Sequence, residues 1–569
     1  MSIKDNSIIY MIGKTWQYSK GNRQRVVMFV AMFVIANLIH ALEPLIIALI
    51  VNTIQAEGIT QSNLNYLLLL TSLVVVRSVG FWIFHGPARV MELKNSFFVE
   101  SQYKRFLLNG TLHLPLEWHA DHHSGDTIDR INKAAQALFE FSGEIFIIIE
   151  NTVRFATAYA ALVYFNLASS YIVLIFTAIA VATIHLFDKI LRKRWRILSR
   201  AENRISAKIF DVISNITTVI ILRVEHLLSK EIFKSIIGPF GFFTKTQKIN
   251  ETKWFLVSMC AAGMMAFVIG TYITASFRSG SSIMIGTIFA LYQYVTRISD
   301  IFYELAWRYS NIVRNKTRVD NGEEIALNFQ KKGPAGRRLQ GAWHKLQITN
   351  LSFSYQNKQE GELHLDNISF SIQHGQKIAL IGESGSGKTT FLKLIRALYK
   401  PRHAEVSLDG KGVPLGLDGI SEDVTLLPQE PELFNTTIRN NITLGVSHTD
   451  SMVKRYTDMA VFTKVVARLP RRLDTNILEK GVNLSGGEKQ RLALARGLLA
   501  AHDKPILLLD EPTSSVDART ETQIYDNIFS SFADKSIVSS IHRLHLLNRF
   551  DQIYMFDKGR LCAETSCRG

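Results

Sequence analysis

At 569 residues the chain is too long for one ordinary domain, and it is 47% hydrophobic with a mean hydropathy of +0.10. A formal charge of +16 and an isoelectric point near 9.5 fit either nucleic-acid binding or a membrane protein with basic cytoplasmic loops. The basic residues cluster beside apolar runs, so the membrane reading is favoured and no nucleic-acid partner is expected. Only Cys260, Cys562 and Cys567 are present, too few for a disulfide framework and wrongly spaced for zinc.

The N-terminal segment is polar, and the first apolar run is longer and later than in a cleavable signal peptide, so none is expected. Six segments reach the roughly 20 apolar residues that cross a bilayer. They lie near 26–54, 64–85, 141–166, 170–190, 253–277 and 283–307, with Arg77 interrupting the second. The links after the first, third and fifth are short, around Glu57, Asn166 to Ser170 and Phe277 to Ser282. Those after the second and fourth are long and polar, with helical stretches such as Val99 to Leu108 and Ile205 to Ile232. This predicts helices that continue far past the membrane on one side.

Charge identifies that side. Lys4, Lys14, Lys20, Arg23 and Arg25 precede the first span, and Lys189, Arg192, Lys193, Arg194, Arg196 and Arg200 follow the fourth. The opposite links carry only Arg278. Both termini and the long loops are therefore expected in the cytoplasm of a multi-pass membrane protein in contact with lipid. Ionisable residues within spans, here His40, Glu43, Arg77, Glu150, Arg154 and Arg297, are costly and usually face a cavity or a partner. His40, Glu43 and Arg77 are the candidates for a substrate role. Glu150 and Arg154, four residues apart, pair on one helix in the plainer structural reading. Arg297, Asp300, Glu304 and Arg308 fall in the wet half of the sixth helix, and His119, His122 and His123 read as a solvated loop, not a metal site.

A linker at 321–344, containing Lys331, Lys332, Gly333, Pro334 and Gly336, separates a helical domain at 1–320 from an α/β domain at 345–569. In the second, short β-like runs (Leu346 to Thr349, Lys377 to Ile381, Ile506 to Leu509, Ser536 to Ser540) alternate with helical stretches. Gly382-Glu383-Ser384-Gly385-Ser386-Gly387-Lys388-Thr389, followed by Thr390, comes directly after the apolar strand and opens a helix expected to reach about Leu398. This is a phosphate-binding loop in its strand–loop–helix context. Its glycines turn backbone N–H groups inward, Lys388 meets the β- and γ-phosphates, and Thr389 is placed for Mg2+. The strand at 506–509 ends in Asp510-Glu511: Asp510 is a candidate Mg2+ ligand, and Glu511 the candidate to polarise an attacking water. Leu484-Ser485-Gly486-Gly487-Glu488-Lys489-Gln490-Arg491, shortly before, would present N–H groups at a helix start to an anion.

With that element in place, the domain resembles the nucleotide-binding domain of ABC transporters, from about 345 to 560. The resemblance implies Tyr355 stacking on adenine, and Gln429 sensing Mg2+ and water. It implies Ser485 to Glu488 as the signature motif that meets ATP across a dimer, Asp517 as the loop residue coupling two sites, and His542 as the γ-phosphate switch. Leu478 stands where the family usually has glycine, and the chain stops soon after Gly559-Arg560, where the family usually adds a helix. Leu114 to Trp118, with Ser124 to Asp126, resembles a first coupling helix region, and a second is expected around Leu228 to Thr244. The implied protein is an exporter-type half-transporter: an all-α membrane domain of six helices, then an α/β P-loop ATPase. It would work as a homodimer, with ATP and Mg2+, on a small-molecule, lipid or peptide substrate at a bacterial inner membrane. An importer on the same fold, for siderophores for example, and an ATP-gated channel or regulator stay open as alternatives.

Overall fold

The computed structural model describes residues 6–329, 339, 343–355, 364–430, 432–477 and 484–566. The chain divides into two compact units, 1–113 with 123–329, and 114–122 with 330–569. Leu478 and the linker residues named above lie outside the described residues.

The first unit is helical: α1 (Ser7–Tyr18), α2 (Arg23–Ala41), α3 (Glu43–Glu57) and α4 (Leu64–Thr111). The short α5 (Leu116–Asp121) groups with the second unit. The first then continues with α6 (Ser124–Ser142), α7 (Ile145–Phe165), α8 (Leu167–Ser214), α9 (Ile216–Leu222), α10 (Glu225–Ile237), α11 (Phe240–Ser279) and α12 (Ile285–Ala326). At about 1.5 Å per residue, α4, α8, α11 and α12 each span roughly twice a ~30 Å hydrocarbon core. The short links fix where the surplus goes. α4 and α8 begin at such links, α11 ends at one and α12 begins at it, so all four extend on the same side. Asn166 makes the tightest turn, accepting the Ala168 N–H at 3.1 Å to start α8 immediately after α7.

Five helical segments among the described residues are long and apolar enough to cross a membrane: 23–57, 64–111, 124–165, 167–214 and 225–279. The sixth long helix, α12, misses that standard because Gln293, Arg297, Asp300 and Glu304 fall in its first half. On α4, Leu68, Leu69, Val75, Val76, Trp82 and Ile83 are 58–64% exposed, which only an apolar surrounding makes favourable. The first and third expected spans are each broken. Pro44 lacks an N–H and sits in the first turn of α3, so the helix restarts after Leu42. Between α6 and α7 the chain breaks at Gly143–Glu144, and two side chains of α4 satisfy the freed backbone. Arg89 donates to the Gly143 carbonyl, and the fully buried Glu92 accepts the Phe146 N–H at 2.8 Å. Past α8 the long loop is helical, as expected, but interrupted at Asn215 and at Arg223, whose φ is 54°.

The second unit carries a four-stranded antiparallel sheet of order β2-β1-β4-β5, with β1 (Lys345–Phe353), β2 (Leu365–Gln373), β4 (His403–Leu408) and β5 (Lys411–Gly412). Beside it is a six-stranded sheet of order β10-β9-β3-β8-β7-β6. Its members are β3 (Lys377–Ile381), β6 (Val424–Leu427), β7 (Ile506–Asp510), β8 (Ser536–Ser540), β9 (Gln552–Asp557) and β10 (Arg560–Ser566). The strands from β9 to β6 run parallel, and β10 pairs antiparallel with β9. β7 is apolar until its last residue because both its faces are covered. Ile506 and Leu508 enter one core with α13 (Lys388–Ile395) and β1 and β2. Leu507 and Leu509 enter the other. That second core is formed with α14 (Ile438–Thr443), α15 (Asp450–Met459), α16 (Thr463–Arg468), α17 (Gly486–Ala500) and α18 (Ala518–Ser531). The helix after the phosphate loop stops at Ile395, short of Leu398, because Ala397 turns left-handed with φ 58°.

Candidate functional site

Because β3, β8, β7 and β6 are parallel neighbours, their C-terminal ends open on one edge of the sheet, where α/β sheets hold ligands. The phosphate loop leaves β3, His542 follows β8, Asp510 and Glu511 end β7, and Gln429 follows β6. Four segments separated by up to 160 residues thus deliver their polar groups to one place.

The loop itself requires its glycines. Gly382 has φ 147°, and a Cβ there would lie 2.2 Å from the Phe556 carbonyl oxygen. At Gly387, φ 107°, a Cβ would meet Leu365 at 2.6 Å. Lys388 Nζ donates to the carbonyls of Gly382 and Glu383 at 2.7 and 3.0 Å, folding across the loop. Burial lowers its pKa, against the opposing pull of Glu511 and Asp510. Ser386 Oγ is buried without a partner, in a loop whose N–H groups are arranged for an anion. Thr390, one residue into α13 from Thr389, has its Oγ1 3.4 Å from the Tyr355 hydroxyl, so the aromatic candidate sits beside the phosphate-loop helix. Tyr355 is braced edge-on by Phe353, His364 and Tyr399.

Thr389 Oγ1 donates to Asp510 Oδ1 at 3.1 Å, and so does Ser540 Oγ from the end of β8. Burial raises the Asp510 pKa, and those two hydrogen bonds oppose the rise. A carboxylate so disfavoured in its charged form, next to a hydroxyl, is a donor set that fits a hard divalent cation. Ser540 was not among the sequence candidates; its position two residues before His542 at a strand end was the available signal. Glu511 stands in left-handed backbone, φ 47°. Gln429 Nε2 donates to its Oε2 at 2.8 Å, and His542 Nε2 lies 2.5 Å from its Oε1. The three expected catalytic residues are therefore in direct contact.

Ser485 caps α17 in a reciprocal box with Glu488: Glu488 Oε2 accepts the Ser485 N–H at 2.9 Å, and Ser485 Oγ accepts the Glu488 N–H at 3.4 Å. Glu488 also pairs with Arg468. Gly486 and Gly487 form the first turn of α17, and Asp517 caps α18 by accepting the Thr520 N–H at 3.0 Å. Among the described residues, no hydrogen bond or ion pair joins Ser485, Gly486, Gly487 or Glu488 to the phosphate loop.

In the helical unit the three candidate substrate residues also meet. Arg77 lies 2.8 Å from His40 Nδ1 and 3.5 Å from Glu43 Oε2, and Arg297 reaches the same Glu43 oxygen at 3.4 Å. Arg297, placed from sequence among the ionisable span residues and in the wet half of the sixth helix, thus joins the cluster. Glu150 and Arg154 do pair on one helix. His122 stacks on Trp118 with centroids 4.1 Å apart and hydrogen-bonds the Trp118 carbonyl through Nδ1.

A phosphate loop, a strand ending in Asp-Glu and a capped glycine-rich helix start, on a chain that also carries long apolar helices, define a membrane-embedded P-loop ATPase. Residues 26–300 match the model of the ABC transporter transmembrane region, and residues 365–514 that of the ABC transporter. The chain is similar to an ATP-dependent lipid A-core flippase of Idiomarina loihiensis, 26% identical over 90% of this chain and 88% of that protein. It is likewise 26% identical to the mitochondrial iron-sulfur clusters transporter ATM1 of Kluyveromyces lactis, over 84% of this chain and 68% of that one. In fold it matches the structure of a bacterial Atm1-family ABC exporter with ATP bound, with a TM-score of 0.81, 21% identity and 96% of both chains covered. The chain belongs to the ABC transporters: it is a polytopic half-transporter of the exporter type, whose ATPase domain is coupled to transport.

Gly382→Ala should lower binding of a fluorescent ATP analogue at least about tenfold, since the added Cβ must displace the backbone at Phe556. Binding within twofold of the parent would contradict the loop geometry.

Proposed function

We propose that two copies of this chain pair head to tail, so that each ATP lies between the phosphate loop of one and the signature motif of the other. Hydrolysis then drives export of an amphipathic small molecule, lipid or peptide from the cytoplasm or inner leaflet of a bacterial inner membrane. The observation that carries this is the contact of Glu511 with both Gln429 and His542, while among the described residues no hydrogen bond or ion pair joins the signature residues of the same chain to its phosphate loop. A complete Glu-Gln-His cluster beside a phosphate loop is half of a site, and the helix start at Ser485 is the other half, offered elsewhere.

Tyr355 stacks on the adenine, and the N–H groups of Gly382 to Thr390 with Lys388 hold the phosphates. Thr389, Asp510 and Gln429 would hold Mg2+, which would supply positive charge to the phosphates. Glu511 accepts the proton of a water whose oxygen attacks the γ-phosphorus; that P–O bond forms as the bond to the β-phosphate oxygen breaks. His542 donates to the γ-phosphate and leaves it with the product, and Gln429 orients the water. From the partner, Ser485 to Glu488 present their N–H groups to the γ-phosphate, and Asp517 couples the two sites.

The surplus length of α4, α8, α11 and α12, with the expected coupling segments Leu114 to Trp118 and Leu228 to Thr244, carries closure to the membrane helices. There, His40, Glu43 and Arg77, held by one another and by Arg297, form a polar site within the helical bundle and contact the polar part of the substrate. A relative described as a lipid A-core flippase, similar over nine tenths of this chain, supports a cargo with both apolar and polar parts.

Glu511→Gln keeps the shape and both neighbours but removes the base, so ATPase turnover should fall about 10²–10⁴-fold while ATP stays bound. Turnover within threefold of the parent would remove Glu511 from that role. In nanodiscs, Glu43→Gln should raise the concentration of a transported amphiphile that half-maximally stimulates ATPase by about tenfold, one charge-assisted hydrogen bond. An unchanged concentration would remove Glu43 from the substrate site.

A further inference from the structure

The loop Ser514 to Asp517, between β7 and α18, is gripped from two sides by side chains that the hydrolysis scheme does not use. On one side is Gln490, buried within α17. Its Nε2 donates to Ser514 Oγ at 2.7 Å and its Oε1 accepts the Ser515 N–H at 2.8 Å. Gly487, on the same helix, lies so close to the loop that a Cβ would stand 2.8 Å from the Ser515 carbonyl oxygen. The start of the signature helix and this loop therefore cannot shift independently.

On the other side is Arg543, the residue after His542. Its Nη1 donates to the Val516 carbonyl at 2.8 Å and to Glu521 Oε2 at 3.1 Å. Glu521, on the first turn of α18, is buried, and its Oε1 accepts from the Thr513 hydroxyl at 2.7 Å. His545 Nε2 approaches the same carboxylate at 3.7 Å. A buried carboxylate that loses Arg543 keeps only the Thr513 hydroxyl and the more distant His545, so the pair resists separation and the loop follows movement of the segment 542–545.

We infer that Gln490, Arg543 and Glu521 are positioning residues that form a relay between the two ATP sites. The relay runs from His542, beside this chain's own γ-phosphate position, through Arg543 and Glu521 to the loop, and through Gln490 to the signature motif lent to the partner's site. This rests on the shared-site reading above and adds the mechanical link inside one chain. Presence or loss of the γ-phosphate at one site shifts His542 and, through these hydrogen bonds, resets the helix start that completes the other.

The test uses the full chain in lipid nanodiscs, with ATP as the probe. Glu521→Gln weakens the ion pair at constant size, and Gln490→Met removes both amide hydrogen bonds at similar volume. Each should leave nucleotide affinity in the absence of turnover within about twofold, while the Hill coefficient for ATP in hydrolysis falls from above 1 to about 1 and kcat drops about tenfold. Arg543→Lys, which keeps the charge but not both donations, should fall between parent and Glu521→Gln. Parent-like Hill coefficients in both folded variants would overturn the relay and leave the shared sites standing. A Hill coefficient of 1 in the parent would also overturn the relay, since uncoupled sites need no link, and the shared-site reading is tested separately by complementation. Because Gln490→Met leaves every charge in place, it reports even if Glu521→Gln fails to fold.

Discussion

One carboxylate organises the soluble half of this protein. Glu511 follows the fully buried strand β7 in left-handed backbone, a conformation that costs a non-glycine residue about 1–2 kcal/mol. Hydrogen bonds to a carboxylate are worth about 1.5–3 kcal/mol each. Glu511 has two such partners, Gln429 from the end of β6 and His542 from the end of β8, and because both are exposed their grip offsets the strain only in part. That balance depends on the parallel order of β3, β8, β7 and β6, which puts four loop starts on one edge. Displace β6 or β8 and the carboxylate loses a partner while keeping its unfavourable backbone.

On the proposed reading, one chain does not complete the chemistry. The signature residues start α17, and the capping box of Ser485 and Glu488 holds that start ready for an anion. Among the described residues, the helix they start is tied through Gln490 to the loop at Ser514 to Asp517, and no hydrogen bond or ion pair joins the signature residues to the phosphate loop. The membrane half has its own economy of charge. His40, Glu43, Arg77 and Arg297 come from four different helices and contact one another, so charges expensive in an apolar bundle are held there as one cluster.

Much of the ATPase unit was legible in the sequence because its inner strands are covered on both faces. Ile506 to Leu509 and Lys377 to Ile381 read as short apolar runs followed by their functional residues, and the strands have those positions. What escaped was set by contacts distant along the chain. Nothing local marks Ala397 as the stop of α13, and the break between α6 and α7 at Gly143 and Glu144 is stabilised by Arg89 and Glu92, more than 50 residues away. Arg297 could not be joined to Glu43, 254 residues earlier, without knowing how each helix is rotated. Gln490 read as an ordinary polar member of the signature pattern, since its two partners lie beyond β7.

The claim that each ATP site is divided between two chains is tested most directly by complementation. Differently tagged chains carrying Lys388→Ala and Ser485→Arg are co-expressed, and the mixed dimers are isolated. If sites are shared, the mixed dimer keeps one site with an intact phosphate loop and an intact signature, and should retain one occluded ATP per dimer. Placing both substitutions on one chain, paired with an unaltered chain, damages both sites and should abolish occlusion. Occlusion in the second arrangement and not in the first would show that each site is built within a single chain, and would contradict the account.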